Sequence, residues 1–196
     1  MNSYTDLIGQ VIFDMPECTK NSALLALRQA GRAFCKETNV WTENLKTTTN
    51  FDIEKLEYDI DAVGESFIQH ITALQINNED VPKKYFQLTD DWSFEFSDDF
   101  ATENSHYDGE EITVQVVVRP RFDASILSHN FLERYADPII AKARSILLMQ
   151  NTKPFFNSEL AKEQQNIYND YVQSCCLSVC SEDADEMRVQ QFGNCW

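Results

Sequence analysis

Along this chain the spacing of apolar residues changes from helical to alternating and back again, and those changes mark its segments. Over 19–38, Leu24, Leu27, Gly31 and Phe34 recur at three- and four-residue intervals, which puts them on one stripe of an amphipathic helix. Lys20, Arg28, Arg32 and Lys36 lie mostly off that stripe, and Thr19 is suited to cap it. Gly31 is costly inside a helix, so close approach by another helix is the expected compensation. From 40 to 119 the period shortens to two. Segments 40–46, 51–60 and 67–76 read as short strands, and Trp92, Phe94 and Phe96 alternate with Ser93 and Glu95 as in a half-buried strand. Segment 98–111 reads as a hairpin loop turning at Asp108-Gly109, after which Ile112, Val114, Val116 and Val118 form a last strand before Pro120.

The helical period then returns. A second helix over about 125–149, starting near Ser125 or Ser128, carries Leu132, Tyr135, Ile139, Ala143, Ile146 and Leu147 on one stripe, and Pro138 should kink it. Asn157 or Ser158 caps a third helix to about 180, whose face holds Leu160, Gln164, Ile167, Tyr168, Tyr171, Cys175 and Val179. Residues 1–16 read as a short leader and 181–196 as an acidic tail bearing Phe192 and Trp196. The expected fold class is α+β: one domain over 1–180, an antiparallel bundle of about three long helices with a small antiparallel β subdomain inserted at 40–119, and an extended C-terminal tail.

Composition narrows the function. With 196 residues, 43% of them hydrophobic, the chain can bury one sizeable core and a small subdomain. No apolar run approaches the roughly 20 residues of a membrane span, and the start lacks a secretory pattern, so a soluble protein made in the cytoplasm is expected. A net charge of -16 opposes direct binding to a nucleic-acid backbone. The charge is uneven: segment 86–118 holds nine acidic residues and no Lys or Arg. Such a lobe reads as an exposed hairpin kept from edge pairing by its charge, as a DNA-repelling lining, or as a docking face for a basic partner.

No motif here carries a reaction. There is no nucleophile elbow, phosphate-cradling glycine loop, zinc-protease helix or calcium loop, and Asp90-Asp91 and Asp98-Asp99 read as solvated acids rather than an acid/base pair. The six cysteines lack paired C-x-x-C spacing and read as reduced structural thiols, so no metal, cofactor or catalytic residue is expected. Phe155-Phe156 in an interhelical turn, Phe100 and Tyr107 in the acidic loop, and Phe192 and Trp196 in the tail read as exposed aromatics, which suit an assembly protein.

The order of features supplies a family. A Pro16-led first helix with Arg32-Ala-Phe-Cys35 and a following Trp41, an extended segment at Tyr58-Asp-Ile60, a strand ending Val118-Arg-Pro120, and the turn Lys153-Pro-Phe-Phe-Asn157 before Leu160-Ala161 together resemble the head-to-tail adaptor proteins of tailed bacteriophages, the tail-tubular or connector-ring subunits. The resemblance implies a structural virion protein of the neck and tail, not an enzyme. It implies a homo-oligomeric ring, usually twelve-fold, between the portal protein and a downstream tail nozzle or tail protein, with DNA passing through the lumen without specific binding and no membrane partner. On that reading Phe192 and Trp196 are candidate anchors on the portal, with Glu182, Asp183, Asp185 and Glu186 beside them, and Asp90, Asp91, Asp98 and Asp99 are candidate channel-lining or interface acids. The alternative is an acidic DNA mimic or inhibitor that occupies a basic partner. A small hydrolase using Cys35 or Cys176 is a third class and lacks a positioned base.

Overall fold

The computed structural model describes residues 3–52, 54–61, 65–124 and 129–192, with the backbone alone over 178–192. In chain order the elements are α1 (Ile8–Ile12), α2 (Lys20–Thr38), β1 (Thr42–Lys46), β2 (Glu57–Asp59), β3 (Ser66–Ile76), β4 (Glu79–Asp80), β5 (Phe86–Leu88), β6 (Ser93–Phe96), α3 (Asp98–Glu103), β7 (Ile112–Pro120), α4 (His129–Leu148) and α5 (Ser158–Phe192). The protein is α+β, but the expected bundle of three long helices is not what forms. Five helices and seven strands in two antiparallel sheets are described, and only α5, at 35 residues, is long. The extended tail is also corrected, because α5 continues past Cys180 to Phe192. Composition explains this: Ala184, Glu186, Met187, Arg188, Gln190 and Gln191 favour helix, and no Gly or Pro interrupts before Gly193. Two compact units result, Met1–Val40 with Phe122–Trp196, and Trp41–Arg121.

The first unit is helical. At the start of α2 the Thr19 side chain accepts from the Ser22 N–H at 3.2 Å, and at its end Asn39 adopts a left-handed φ of 55° while its N–H donates to the Cys35 carbonyl. Ala23, Leu27, Ala30, Gly31, Phe34 and Cys35 make the buried stripe. Residues 1–16 are more than a leader. Tyr4, Leu7 and Val11 are fully buried, and Arg144 of α4 donates to the Gln10 carbonyl at 2.8 Å and pairs with Asp14 at 3.2 Å. The approach that requires Gly31 comes from the short 3-10 helix Tyr4–Leu7 of this segment: a Cβ there would stand 2.1 Å from the Tyr4 hydroxyl oxygen.

That hydroxyl is buried and has no hydrogen-bond partner among the described residues. Burial first, and then the nearby Cys35, push the phenol well above its ordinary range. Leaving a buried hydroxyl unpaired costs about 1–3 kcal/mol, so Tyr4→Phe should stabilise the protein by about 1 kcal/mol, read as a higher urea midpoint at an unchanged slope. A lower midpoint would mean that the hydroxyl has a partner after all. Gly31→Ala should cost about 1–3 kcal/mol, the usual penalty for overfilling a packed site.

Four rings close this core. Phe34 lies 6.4 Å from Phe131, 5.2 Å from Tyr135 and 6.2 Å from Tyr168, which joins α2, α4 and α5. The helical path of α4 breaks at Tyr135, with φ -123° and ψ 20°. Pro138 lies three residues on and lacks the N–H that would bond the Arg134 carbonyl, which is the expected cause of the kink.

The second unit holds both sheets, ordered β1-β7-β3-β4 and β2-β6-β5. Ile112, Val114, Val116 and Val118 of β7 are fully buried, as their alternation predicts. Irregularities opposite β7, at Ile68/His70 and Ile71/Ala73, shift the register of β3. Most of 51–60, expected as a strand, is irregular apart from β2, because the Tyr58 hydroxyl bonds both the N–H and the carbonyl of Asp52 and holds a turn. The hairpin expected at 98–111 is instead α3 and a short 3-10 turn, Ser105–Tyr107. Its cause is local, since Ser97 caps the N–H of Phe100 and Asp98 and Asp99 fill the first helical turn.

Candidate assembly surfaces

The four candidate acids are all exposed, but they form two sites rather than one row. Asp90 and Asp91 precede β6 and Asp98 and Asp99 follow it, so a four-residue strand, roughly 13 Å of chain, stands between the pairs. Asp90 also has a local task. Its carboxylate accepts from the N–H groups of Trp92 at 2.7 Å and Ser93 at 2.8 Å, and those bonds hold its carboxyl below the usual range. Asp98 and Asp99 complement the positive end of α3. The readings of 86–118 as a docking face or lining therefore rest on Asp91, Asp98, Asp99 and Asp108, with the turn at Asp90 as scaffold.

One exposed aromatic is corrected. Phe100 is 3% exposed and stacks on Phe96 at 4.9 Å, within a cluster that includes Phe51, Tyr58, Phe94 and Tyr107. A helix turned this ring inward where a hairpin would have turned it out. Tyr107 is half-buried and its hydroxyl bonds Glu79. Phe155 is half-buried in the α4–α5 turn and Phe156 is exposed.

Helix α5 offers the larger uncovered surface. Between Ser158 and Leu177 only Ala161 and Tyr168 are fully buried, while Ile167 is 38%, Tyr171 39% and Leu177 72% exposed. Several side chains anchor α5. The Tyr168 hydroxyl donates to the Glu37 carboxylate at 3.0 Å, Lys142 lies over the Tyr168 ring and donates to Gln165 at 2.9 Å, and the Cys176 thiol reaches the Glu37 carbonyl at 3.6 Å. Thirty-five residues of helix extend roughly 52 Å. Among the candidate portal-docking residues, the backbone at Glu182, Asp183, Asp185, Glu186 and Phe192 is helical, whereas their side chains and Trp196 lie outside the described residues.

The sequence reading missed one surface. Leu25, 46% exposed, lies on the side of α2 turned away from its buried stripe, with half-buried Arg32 beside it and half-buried Arg28 at the stripe's edge, and the Arg32 guanidinium stands 5.9 Å from the ring centre of Phe122, itself 52% exposed. The spacing of Arg28 and Arg32 off the apolar stripe was visible; the nearness of Phe122, ninety residues away in the chain, was not.

Of the two candidate nucleophiles, Cys35 lies in the core. Cys35 is fully buried, and that burial pushes its thiol far above the ordinary range, away from the reactive thiolate. His70 is held below its usual range by burial and by Lys83, and it lies on β3 in the other unit. Among the described residues no group of three His, Cys, Asp or Glu side chains is placed to hold a metal ion, and no helix is long and apolar enough to cross a membrane. No protein-family model matches the chain, and no characterised protein matches it in sequence.

Proposed function

We propose that this chain is a structural subunit of a bacteriophage neck, a ring-forming adaptor that joins the portal to the tail and surrounds the DNA path. The reading begins from the order of sequence features given above, and one structural observation carries it further: between Ser158 and Leu177, α5 leaves Ile167, Tyr171 and Leu177 exposed. Exposed apolar side chains grouped on one helix mark a surface for another protein, and Ile167, Tyr171 and Leu177 are such side chains. A connector needs such an uncovered surface, because each subunit must grip a neighbour or the portal as well as fold. The exposed acids of the second unit suit either the lining of a channel that DNA must pass without adhering or a contact with a neighbouring subunit.

The DNA-mimic alternative is weaker. It would place carboxylates in phosphate-like rows, whereas Asp90 is tied into a turn and Asp98 and Asp99 sit at a helix start on the far side of β6. The test is a reconstruction of the particle that encodes this chain, together with proteomics of its purified virions. The expected result is density for this fold in a closed ring under the portal. Virions that lack the chain would refute the reading.

A further inference from the structure

Helix α2 is the basic exception in an acidic protein. The chain carries 16 Lys and Arg against 32 Asp and Glu, yet α2 alone has Lys20, Arg28, Arg32 and Lys36 against the single acid Glu37. Glu37 does not neutralise this stripe, because it lies on another side of the helix, bonded to Tyr168. At 100° per residue Arg28, Arg32 and Lys36 fall within one narrow sector, and Leu25 falls inside the same sector. The surface thus combines two half-buried arginines, Arg28 with its Nε buried at the edge, an exposed leucine and the exposed Phe122 ring under Arg32. Arginine and aromatic side chains around a desolvable apolar centre are the composition of a protein-binding patch, not of a merely solvated face.

We propose that this face of α2 receives the acidic 86–118 lobe of a second copy of the same chain, so that copies join head to tail. The inference rests on the ring reading only in taking the partner to be another copy. Charge complementarity selects it: the lobe presents exposed Asp91, Asp98, Asp99 and Asp108, and 86–118 has no Lys or Arg to oppose the arginines. The two surfaces differ from each other, so their contact is heterologous and repeats from copy to copy, closing into a ring wherever the rotation permits. Nucleic acid is the other polyanion such a stripe could meet, and the net charge of -16 opposes its approach. The same net charge makes copies repel at long range, so association should need enough salt to screen that repulsion while leaving contact pairs in place, about 0.1 M with its Debye length of about 10 Å.

The experiment is sedimentation equilibrium of the full chain at about that ionic strength. The wild type should self-associate, and Arg28→Glu/Arg32→Glu and Asp98→Lys/Asp99→Lys should each weaken association at least tenfold. An equimolar mixture of the two variants should recover it to near wild type by alternation, because every contact between unlike variants is a native pair or a doubly reversed one while contacts between like variants stay repulsive. Recovery also shows that both variants are folded; should either fail to fold, Arg28→Gln/Arg32→Gln and Asp98→Asn/Asp99→Asn replace them, each expected to weaken association severalfold. A wild type that stays monomeric to about 1 mM, the weak limit of specific binding, overturns the inference. So do variants that associate normally, or a short DNA duplex that binds the wild type and is released by Arg28→Glu/Arg32→Glu. The ring reading is judged apart from this, since virions containing the chain in a ring joined through other surfaces would leave that reading standing.

Discussion

A chain cut after Cys180 should keep its folded helical unit and lose its hold on the portal. The described contacts that fasten α5 to its own unit run from Ala161 through Tyr168 to Cys176, all ahead of the cut. What the cut removes is helix to Phe192 and the residues that follow, including both candidate aromatic anchors, Phe192 and Trp196. One buried aromatic anchor is worth about 2 kcal/mol or more, about thirtyfold in affinity, and two that act independently are worth on the order of a thousandfold. Circular dichroism should show an unchanged melting midpoint with less helix. A pull-down on assembled portal, and the yield of the chain in virions, should both collapse. Truncated protein that fills particles as well as the full chain would show that the end of α5 takes no part in docking, and the exposed Ile167, Tyr171 and Leu177 would then be the next surface to test.

Local chemistry was the legible part of this sequence. Thr19 caps α2 because its side-chain oxygen meets the N–H groups that a helix start leaves bare, and the alternation of Ile112, Val114, Val116 and Val118 gave the buried face of β7. What failed was length and reach. The end of α5 was read from polarity, yet Glu, Gln, Arg and Met sustain a helix whether or not anything covers it, so an acidic stretch without Gly or Pro is no stop signal. The loop expected around Phe100 failed in the opposite sense, since Ser97 with Asp98 and Asp99 is a helix start, and the helix carries Phe100 into the aromatic core. Long-range partners were invisible by nature. Nothing in the spacing of 1–16 shows that Tyr4 fills the gap above Gly31, or that Arg144 reaches back to Gln10 and Asp14.

Another set of long-range contacts meets at Phe34, and Phe34→Ala should be the most damaging single change in the helical unit. The ring is fully buried and touches Phe131 and Tyr135 of α4 and Tyr168 of α5, so its loss opens a cavity where three elements join. Such a truncation costs about 3–5 kcal/mol, a large share of the roughly 5–15 kcal/mol that holds a domain together. At about 2–4 °C per kcal/mol for a chain of this size, the midpoint should fall by about 10 °C. Tyr168→Phe separates packing from hydrogen bonding. It keeps the ring beside Phe34 and removes only the bond to Glu37, which is exposed and can turn to water, so the cost should stay near 1 kcal/mol. If the two variants unfold at the same urea concentration, the cluster does not close the core and α5 is held by Glu37 instead. If Phe34→Ala is the far weaker, the seating of α5 depends on a ring in α2. Portal attachment should then drop in that variant although every residue of the distal helix remains.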